Sequence, residues 1–313
     1  RLGRVVRDGD GLVERIVEAA DYEGPGGPAE VNAGQYVFDA ARLWAGIVRV
    51  PKSAKGEYYL TDMVHIAVST WTPPVTIDAD PSEALGVDDR VKLAEAEQIM
   101  RAHILEQHML AGVTIADPAT TYIDANVRIE SDVTILPGCA LRGETRIATG
   151  CVVGPATALT NARVGRDSTI RSSVVEDSQI GERVRMGPFA HLRSNAVIGD
   201  DCEIGNYAEI KNSIIGNRVK MHHFSYIGDA DVGDETNIAA GVITCNYDGV
   251  NKYRTTIGRK VFIGCDTMLV APVSLGDGAL TGAGSVVTKD VRAGGRVAGV
   301  PARALPHVKR PGH

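Results

Sequence analysis

Aromatic residues make up only 5% of this 313-residue chain, so any core must be filled mainly by aliphatic side chains. Cysteine is sparse and unpaired in pattern. Cys139, Cys151, Cys202, Cys245 and Cys265 are odd in number and contain no C-x-x-C spacing. That excludes a disulfide framework or a thiolate zinc site and fits a reducing, cytoplasmic setting. No apolar run approaches ~18 residues, so no membrane-spanning segment is expected. Positive charge is in deficit, with 33 Lys and Arg against 39 Asp and Glu, a net charge of −6. A general nucleic-acid surface needs basic excess and is excluded, whereas small anions remain candidate ligands through local Arg and Lys. No signal peptide is visible, and because the chain opens on Arg1 it is expected to be part of a longer one.

What is abundant is glycine, with 35 residues, and a repeat of six. Ile123, Ile129, Ile135, Leu141, Ile147, Val153 and Leu159 keep that period. Ile180, Met186, Leu192, Ile198, Ile204 and Ile210 keep it again, as do Ile257, Ile263, Leu269, Leu275, Thr281 and Val287 with one polar member. Glycine often follows the aliphatic residue, as in "IGDD", "IGNR", "VGDE" and "IGRK". Six is neither the strand period of 2 nor the helix period of 3.6. It predicts a parallel β-helix in which six residues make one side, three sides make a coil, and aliphatics stack inward. Phase slips between the runs predict loops or shortened coils, the clearest being "TCNYDGVNKYRT" at residues 244–255.

The chain before the repeats reads differently. Residues 1–87 read as α/β. "GRVVRDGDGLVERIVE" predicts a hairpin around an Asp-Gly turn. "QYVFDAARLWAGIV" predicts a strand running into a helix, and "SAKGEYYLTDMVHIAV" a loop followed by a helix. Residues 88–112 predict one long helix, capped by Asp88 or Asp89 and ended by Gly112, with Leu93, Ala96, Met100 and Ile104 on one face. It reads equally as a strut between domains or as an amphipathic helix packed on one of them. Residues 113–313 form the β-helix domain with a C-terminal tail.

"VKMHHFSYIG" (residues 219–228) raises the question of which histidine does chemistry. Met221 and Ile227 hold inward positions, so His222 and His223 lie on successive residues whose side chains diverge. They cannot readily chelate one metal together, and either could be a solvated surface histidine. "YAEIKNS", with Glu209 and Lys211, lies about one hexad back, and Arg193 lies eighteen residues, one full coil, before Lys211. Two stacked cations fit a phosphate clamp as well as a salt-bridged surface column.

These residues resemble a family. "GPFAHLRSNAVIGDDCEIGNYAEIKNS" and "HHFSYIGDADVGDETNIAAGVITCNYDGVNKYRTTIG" are similar to the acetyltransferase half of the bacterial bifunctional N-acetylglucosamine-1-phosphate uridylyltransferase/glucosamine-1-phosphate N-acetyltransferase. "GEYYLTD" and "GRVVRDGDGLVERIVE" resemble the later part of its nucleotidyltransferase domain. The resemblance covers essentially the whole chain. It implies a partial Rossmann-like domain joined by a long helix to a left-handed parallel β-helix that forms homotrimers. It also implies acetyl transfer from acetyl-CoA to glucosamine-1-phosphate, and uridylyl transfer from UTP in the full-length protein.

By resemblance, His223 is the catalytic base and Glu209 the carboxylate that orients it. Arg193, Lys211, Tyr226, Asn237 and Lys252 match sugar-phosphate contacts. Ala240, Asn246, Tyr247, Cys265 and Ala283 match the acetyl-CoA groove. Gly3, Glu18, Asn32 and Asp88 match UDP-sugar contacts, with Asp88 also a Mg²⁺ ligand. His222 falls where the family commonly has a small residue or Pro and reads as a bystander. Cys265 replaces a usual Ser, Asp88 a usual Asn, and Ala33 a usual Thr. An expected coenzyme-binding Arg near "VAGVPAR" is not aligned, Arg303 being the nearest. The family's glycine-rich nucleotide loop and metal-binding Asp would precede Arg1, so this chain is not expected to catalyse uridylyl transfer. Competing readings are another sugar-1-phosphate nucleotidyl- and acyltransferase, a non-catalytic β-helix trimer, and a β-helix carbonic anhydrase.

Overall fold

The computed structural model describes residues 2–24, 29–53, 55–70 and 74–304. The expected tail beyond residue 304 lies outside the described residues. The chain divides into two units, residues 1–97 and residues 98–313, with the division inside a helix.

In the first unit, β1 (Arg4–Arg7) and β2 (Val13–Val17) form the expected antiparallel hairpin. Asp8 closes its turn, its side chain accepting from the Asp10 and Leu12 backbone N–H groups. Helix α1 (Ala40–Ile47) is capped by Asp39, and α2 (Asp62–Thr70) follows the predicted loop. Val50, Met63 and Ile66 make a small core with Phe38 and Leu43. The strand expected before α1 does not form. Phe38 packs inward and Val37 is fully exposed, an alternation suited to a strand. Among the described residues no strand pairs with them, and β1 continues its pairing through the Arg4–Val31 bridge instead.

Helix α3 (Arg90–Leu110) starts where Asp89 accepts from the Lys92 N–H at 2.8 Å, and the chain turns at Gly112 with φ +92°. Only the C-terminal part of its apolar stripe is covered. Leu105 is buried and Ile104 packs on the core, whereas Leu93 and Met100 are exposed.

The second unit is a left-handed parallel β-helix. Among the described residues the strands form three walls of ten, nine and twelve, each strand pairing in parallel with the third before and after it except at the end of the last wall, where Arg296–Ala298 pairs with Leu280–Thr281 and then antiparallel with Arg303–Ala304. Wall one carries the inward stack Leu192, Ile210 and Ile227 in direct register. Wall two stacks Ile198, Ile215, Val232 and Ile257, and wall three Ile204, Met221, Ile238 and Ile263. These side chains are almost wholly buried; each large aliphatic contributes about 1.5–3 kcal/mol relative to exposure. The polar repeat member Thr281 is also buried, accepting from the Gly264 N–H at 3.0 Å. Coil length explains the phase slips: Leu159 pairs with Val175, but Leu192 pairs with Ile210, sixteen residues against eighteen.

The glycine motifs sit at one corner. In "IGDD", "IGNR" and "VGDE" the residue after the glycine caps the coil before it: Asp200 accepts from the Glu182 N–H, Asn217 from Asp200, and Asp234 from Asn217, each at 2.8 Å. A Cβ on Gly199 would lie 2.7 Å from the Gly216 carbonyl carbon. The coils therefore approach too closely there for any side chain.

Candidate active site

Wall one carries His191–Arg193, Ala208–Lys211 and Ser225–Gly228 as neighbouring parallel strands. Arg193 stands opposite Lys211, and Lys211 opposite Gly228. The predicted stacking of the two cations therefore holds. Gly228 has a specific use: an added Cβ would lie 2.2 Å from the Tyr226 hydroxyl. The missing side chain leaves room for the phenol in the column of Arg193 and Lys211. Lys211 is only 15% exposed, with its Nζ 3.7 Å from Asp229.

Glu209 is not arranged as expected. Its Oε1 accepts from Arg193 Nε at 2.9 Å and Nη2 at 2.6 Å, and no described residue bonds the His223 ring. Glu209 lies in the outward row between His191 and Tyr226, within reach of the Arg193 fork, whereas His223 lies on the bend before Ser225. In this chain Glu209 orients the arginine. His222 is engaged: its Nε2 lies 2.8 Å from Glu203, which also pairs with Arg185 at 2.9 Å. Burial pushes the Glu203 carboxyl up, but His222, Arg185 and Lys220 outweigh it and hold it below the usual range. The two imidazoles stand nearly perpendicular, with centroids 6.3 Å apart.

The bend carrying His223 belongs to a corner column. Met221, Ile238, Ile263 and Thr281 are in register on wall three. Two residues beyond each come His223, Ala240, Cys265 and Ala283. Backbone bonds Asp266 N–H to Ala240 C=O and Gly284 N–H to Cys265 C=O tie successive coils there. At about 4.8 Å per coil, the three small residues extend ~14 Å beyond the histidine. The next position along the corner changes character at the same level. Phe189, Tyr207 and Phe224 are bulky and more than half exposed, and Gly241, Asp266 and Gly284 follow them. An exposed aromatic row thus gives way, beyond His223, to a row of small or short side chains.

The other predicted residues scatter around this corner. Asn237 is on wall three, opposite Lys220 and Phe262. Residues 246–254 form the insertion. Tyr247 and Lys252 bridge within it, and the Tyr247 hydroxyl donates to the Gly249 carbonyl at 2.6 Å. Asn246 donates to Asp229. Arg254 pairs with Asp231 at 2.5 Å and donates to the Asn212 carbonyl at 3.3 Å. Both feet of the insertion therefore rest on the coil before it. Arg303 lies in the last described strand and is exposed. The sequence reading missed Asp229 and Gly228. Their signal was position, since Asp229 continues the corner series Asn161, Asp177 and Asn212, all at positive φ.

In the first unit, Gly3, Glu18 and Asn32 come together. The Asn32 N–H donates to the Gly3 carbonyl at 2.8 Å, and the Glu18 Cα is 3.7 Å from where a Gly3 Cβ would stand. Glu18 accepts from the Thr61 hydroxyl at 2.8 Å. Asp88 is exposed just before α3. No group of three His, Cys, Asp or Glu suited to a metal exists among the described residues. One exposed carboxylate does not supply the ligand set Mg²⁺ requires, so the residues present do not fit that ion. Among the described residues, no helix is long and apolar enough to cross a membrane.

Comparison with known proteins agrees with the repeat. Residues 177–212 and 254–289 match the family model "Bacterial transferase hexapeptide (six repeats)". The chain is 48% identical over 293 residues to the bifunctional protein GlmU of Geobacillus sp. (strain WCH70), covering 92% of this chain and 64% of that protein. It is 46% identical to the protein of the same name from Halalkalibacterium halodurans, again over 92% of this chain and 64% of the relative. The chain thus spans just under two thirds of the length of these relatives. Among solved structures it is similar to LpxA from Acinetobacter baumannii, with TM-score 0.47 and 21% identity over 61% of this chain and 73% of that one, a likeness too slight to argue from.

Proposed function

Because the chain is a homologue of the bifunctional GlmU proteins over 92% of its length, we propose that it transfers an acetyl group from acetyl-CoA to the amine of glucosamine-1-phosphate. The observation that carries this reading is the corner column, in which an imidazole that no described residue hydrogen-bonds stands at the foot of a row of small residues, with a cation pair on the adjoining wall. Arg193 and Lys211 hold the sugar phosphate, Tyr226 adds a hydroxyl, and Asn237 and Lys252 complete the sugar side. Asn246 and Tyr247 border the acyl donor, whose thin thioester arm runs past Ala283, Cys265 and Ala240 to His223. Arg303 stands near the far end of that row in the chain order, where a coenzyme-binding cation belongs.

The amine is mostly ammonium at neutral pH and must lose a proton to attack the thioester. That first proton goes to solvent; His223 takes the second proton from the neutral amine as the nitrogen adds to the carbonyl carbon, and a hydrogen-bond donor carries the oxyanion. Collapse of the tetrahedral adduct expels the coenzyme A thiolate, which receives the proton back from His223. Transfer is direct, so no acyl-enzyme forms on Cys245 or Cys265. Burial pushes the Cys245 thiol up, away from the thiolate a nucleophile needs.

The protein assembles as a homotrimer, in line with the exposed aromatic row. Phe189 and Tyr207 stack at 5.2 Å, and Phe224 continues the stripe; an apolar stripe of this kind calls for cover. Gly3, Glu18, Asn32 and Asp88 belong to a uridylyltransferase activity of the full-length protein, with UTP and Mg²⁺ as its requirements, and the setting is the cytoplasm. The deciding experiment is coenzyme A release from acetyl-CoA by this chain, with glucosamine-1-phosphate as acceptor. Turnover that requires the acceptor is expected. No release with that acceptor, or equal release with unrelated amino sugars, would reject the reading.

A further inference from the structure

Asp229 occupies a corner at φ +50°, a conformation that Asp and Asn tolerate better than other side chains. Its place in the coil is the one held three coils earlier by Asp177, which accepts from the Asn161 amide at 2.9 Å and is exposed. Asp229 does more. Its side chain is 10% exposed, and both oxygens are used. Oδ1 accepts from the Asn212 amide at 2.5 Å, and Oδ2 accepts from the Asn246 amide and faces the Lys211 ammonium at 3.7 Å. Its backbone is fixed at both ends, with N–H donating to the Lys211 carbonyl and C=O accepting from the Thr255 N–H, each at 3.0 Å. Burial pushes the carboxyl up, but the two amides and the charges of Lys211 and Lys252 outweigh it and hold it below the ordinary range.

An amide in place of this carboxylate could accept through one oxygen only. Two amide donors and an ammonium need two acceptor oxygens and a negative charge. The donors also come from different parts of the site. Lys211 belongs to the cation column on wall one, and Asn246 is the first residue of the insertion. Among the described residues Asp229 is the sole ionic partner of Lys211. A lysine that is largely out of water and held on one side keeps its remaining N–H donors for an anion. An asparagine held at the foot of the insertion fixes where that segment leaves the coil.

We infer that Asp229 is a positioning residue that sets Lys211 and Asn246 in fixed relation, so that one carboxylate couples the sugar-phosphate and acyl-donor sides of the site. The assignment of the two sides rests on the acyl-transfer reading above; the anchoring of the insertion does not.

The test uses Asp229→Asn, because asparagine accepts the left-handed backbone and preserves volume. Lost charge-assisted hydrogen bonds are expected to raise KM for both glucosamine-1-phosphate and acetyl-CoA by about 10-fold, with kcat changed much less. Lys211→Ala should raise only the sugar-phosphate KM, and Asn246→Ala only the acetyl-CoA KM. Each double variant with Asp229→Asn should fall short of additivity. Independently of activity, hydrogen exchange at the Val250, Asn251 and Tyr253 amides should quicken in Asp229→Asn and in Asn246→Ala. If the parent chain releases no coenzyme A, the acyl-transfer reading fails, and the exchange arm still judges the anchor. Unchanged KM values in an active enzyme would overturn the coupling, and unchanged exchange in both variants would overturn the anchor. Collapse of folding in Asp229→Asn, with normal exchange in Asn246→Ala, would make Asp229 a structural corner residue and overturn the proposal.

Discussion

His222 and His223 differ by one position and by everything that surrounds them. Glu203, itself paired with Arg185, occupies His222, whereas no described residue hydrogen-bonds the His223 ring. His223→Ala should therefore lower acetyl transfer by ~10²–10⁴-fold, the usual loss of a general base, while His222→Ala changes it only a few-fold. Coenzyme A release by the two variants, with circular dichroism to verify folding, checks this, and a larger loss in His222→Ala would reverse the assignment. Family resemblance could choose between these histidines. The sequence could not say that Glu209 is claimed by Arg193, because the outcome depends on which of several side chains in one outward row reaches it first. Asp229 also predicts a pH effect. Its folded pKa lies below its unfolded value of ~3.9. Its stabilisation is therefore present above that value and lost as pH falls through the lower folded pKa. Thermal melts from about pH 6 to about pH 3 should show a falling Tm, and Asp229→Asn should flatten the acid limb of that curve.

The coil corner and the insertion are the elements that decide the site. Gly205 lies under the bend that carries the histidines, and an added Cβ would stand 1.9 Å from the His222 carbonyl oxygen. Backbone cannot yield as a flexible side chain would. Gly205→Ala is expected to cost about 1–3 kcal/mol, the range for overpacking, and to displace His223. A lower Tm together with a depressed kcat is the expected result, whereas a neutral substitution would mean that the two coils have room to separate. Gly199→Ala, at the other corner, should lower Tm without a comparable kcat effect. The insertion was visible in the sequence as a break in period six. Its two anchors were not, because Asn246 to Asp229 and Arg254 to Asp231 join residues that are remote in the chain and adjacent only across coils.

At the scale of the molecule, the walls of the second unit run parallel up to the closing antiparallel pair of Arg296–Ala298 with Arg303–Ala304, and a stripe of three aromatics remains exposed on one corner. A homotrimer should appear in light scattering at three times the 33.2 kDa chain mass, and a concentration-independent monomer would rule it out. The stripe itself escaped the sequence reading. Phe189, Tyr207 and Phe224 are separated by one coil each, and their alignment depends on the varying length of those coils.

The sequence by itself determined the β-helix, because a period of six is a local property in which each aliphatic specifies its own inward position. It determined the hairpin turn and the cap of α3 for the same reason, since Asp8 and Asp89 act within four residues of themselves. The tertiary structure alone decided which outward side chains meet. Coils of sixteen to eighteen residues and an inserted loop set the register between rows, and that register put His223 beneath Ala240, Cys265 and Ala283, Tyr226 beside Glu209, and one carboxylate between Lys211 and Asn246. Side chains remote in the sequence meet only after every intervening corner has been closed, and no local pattern records that sum.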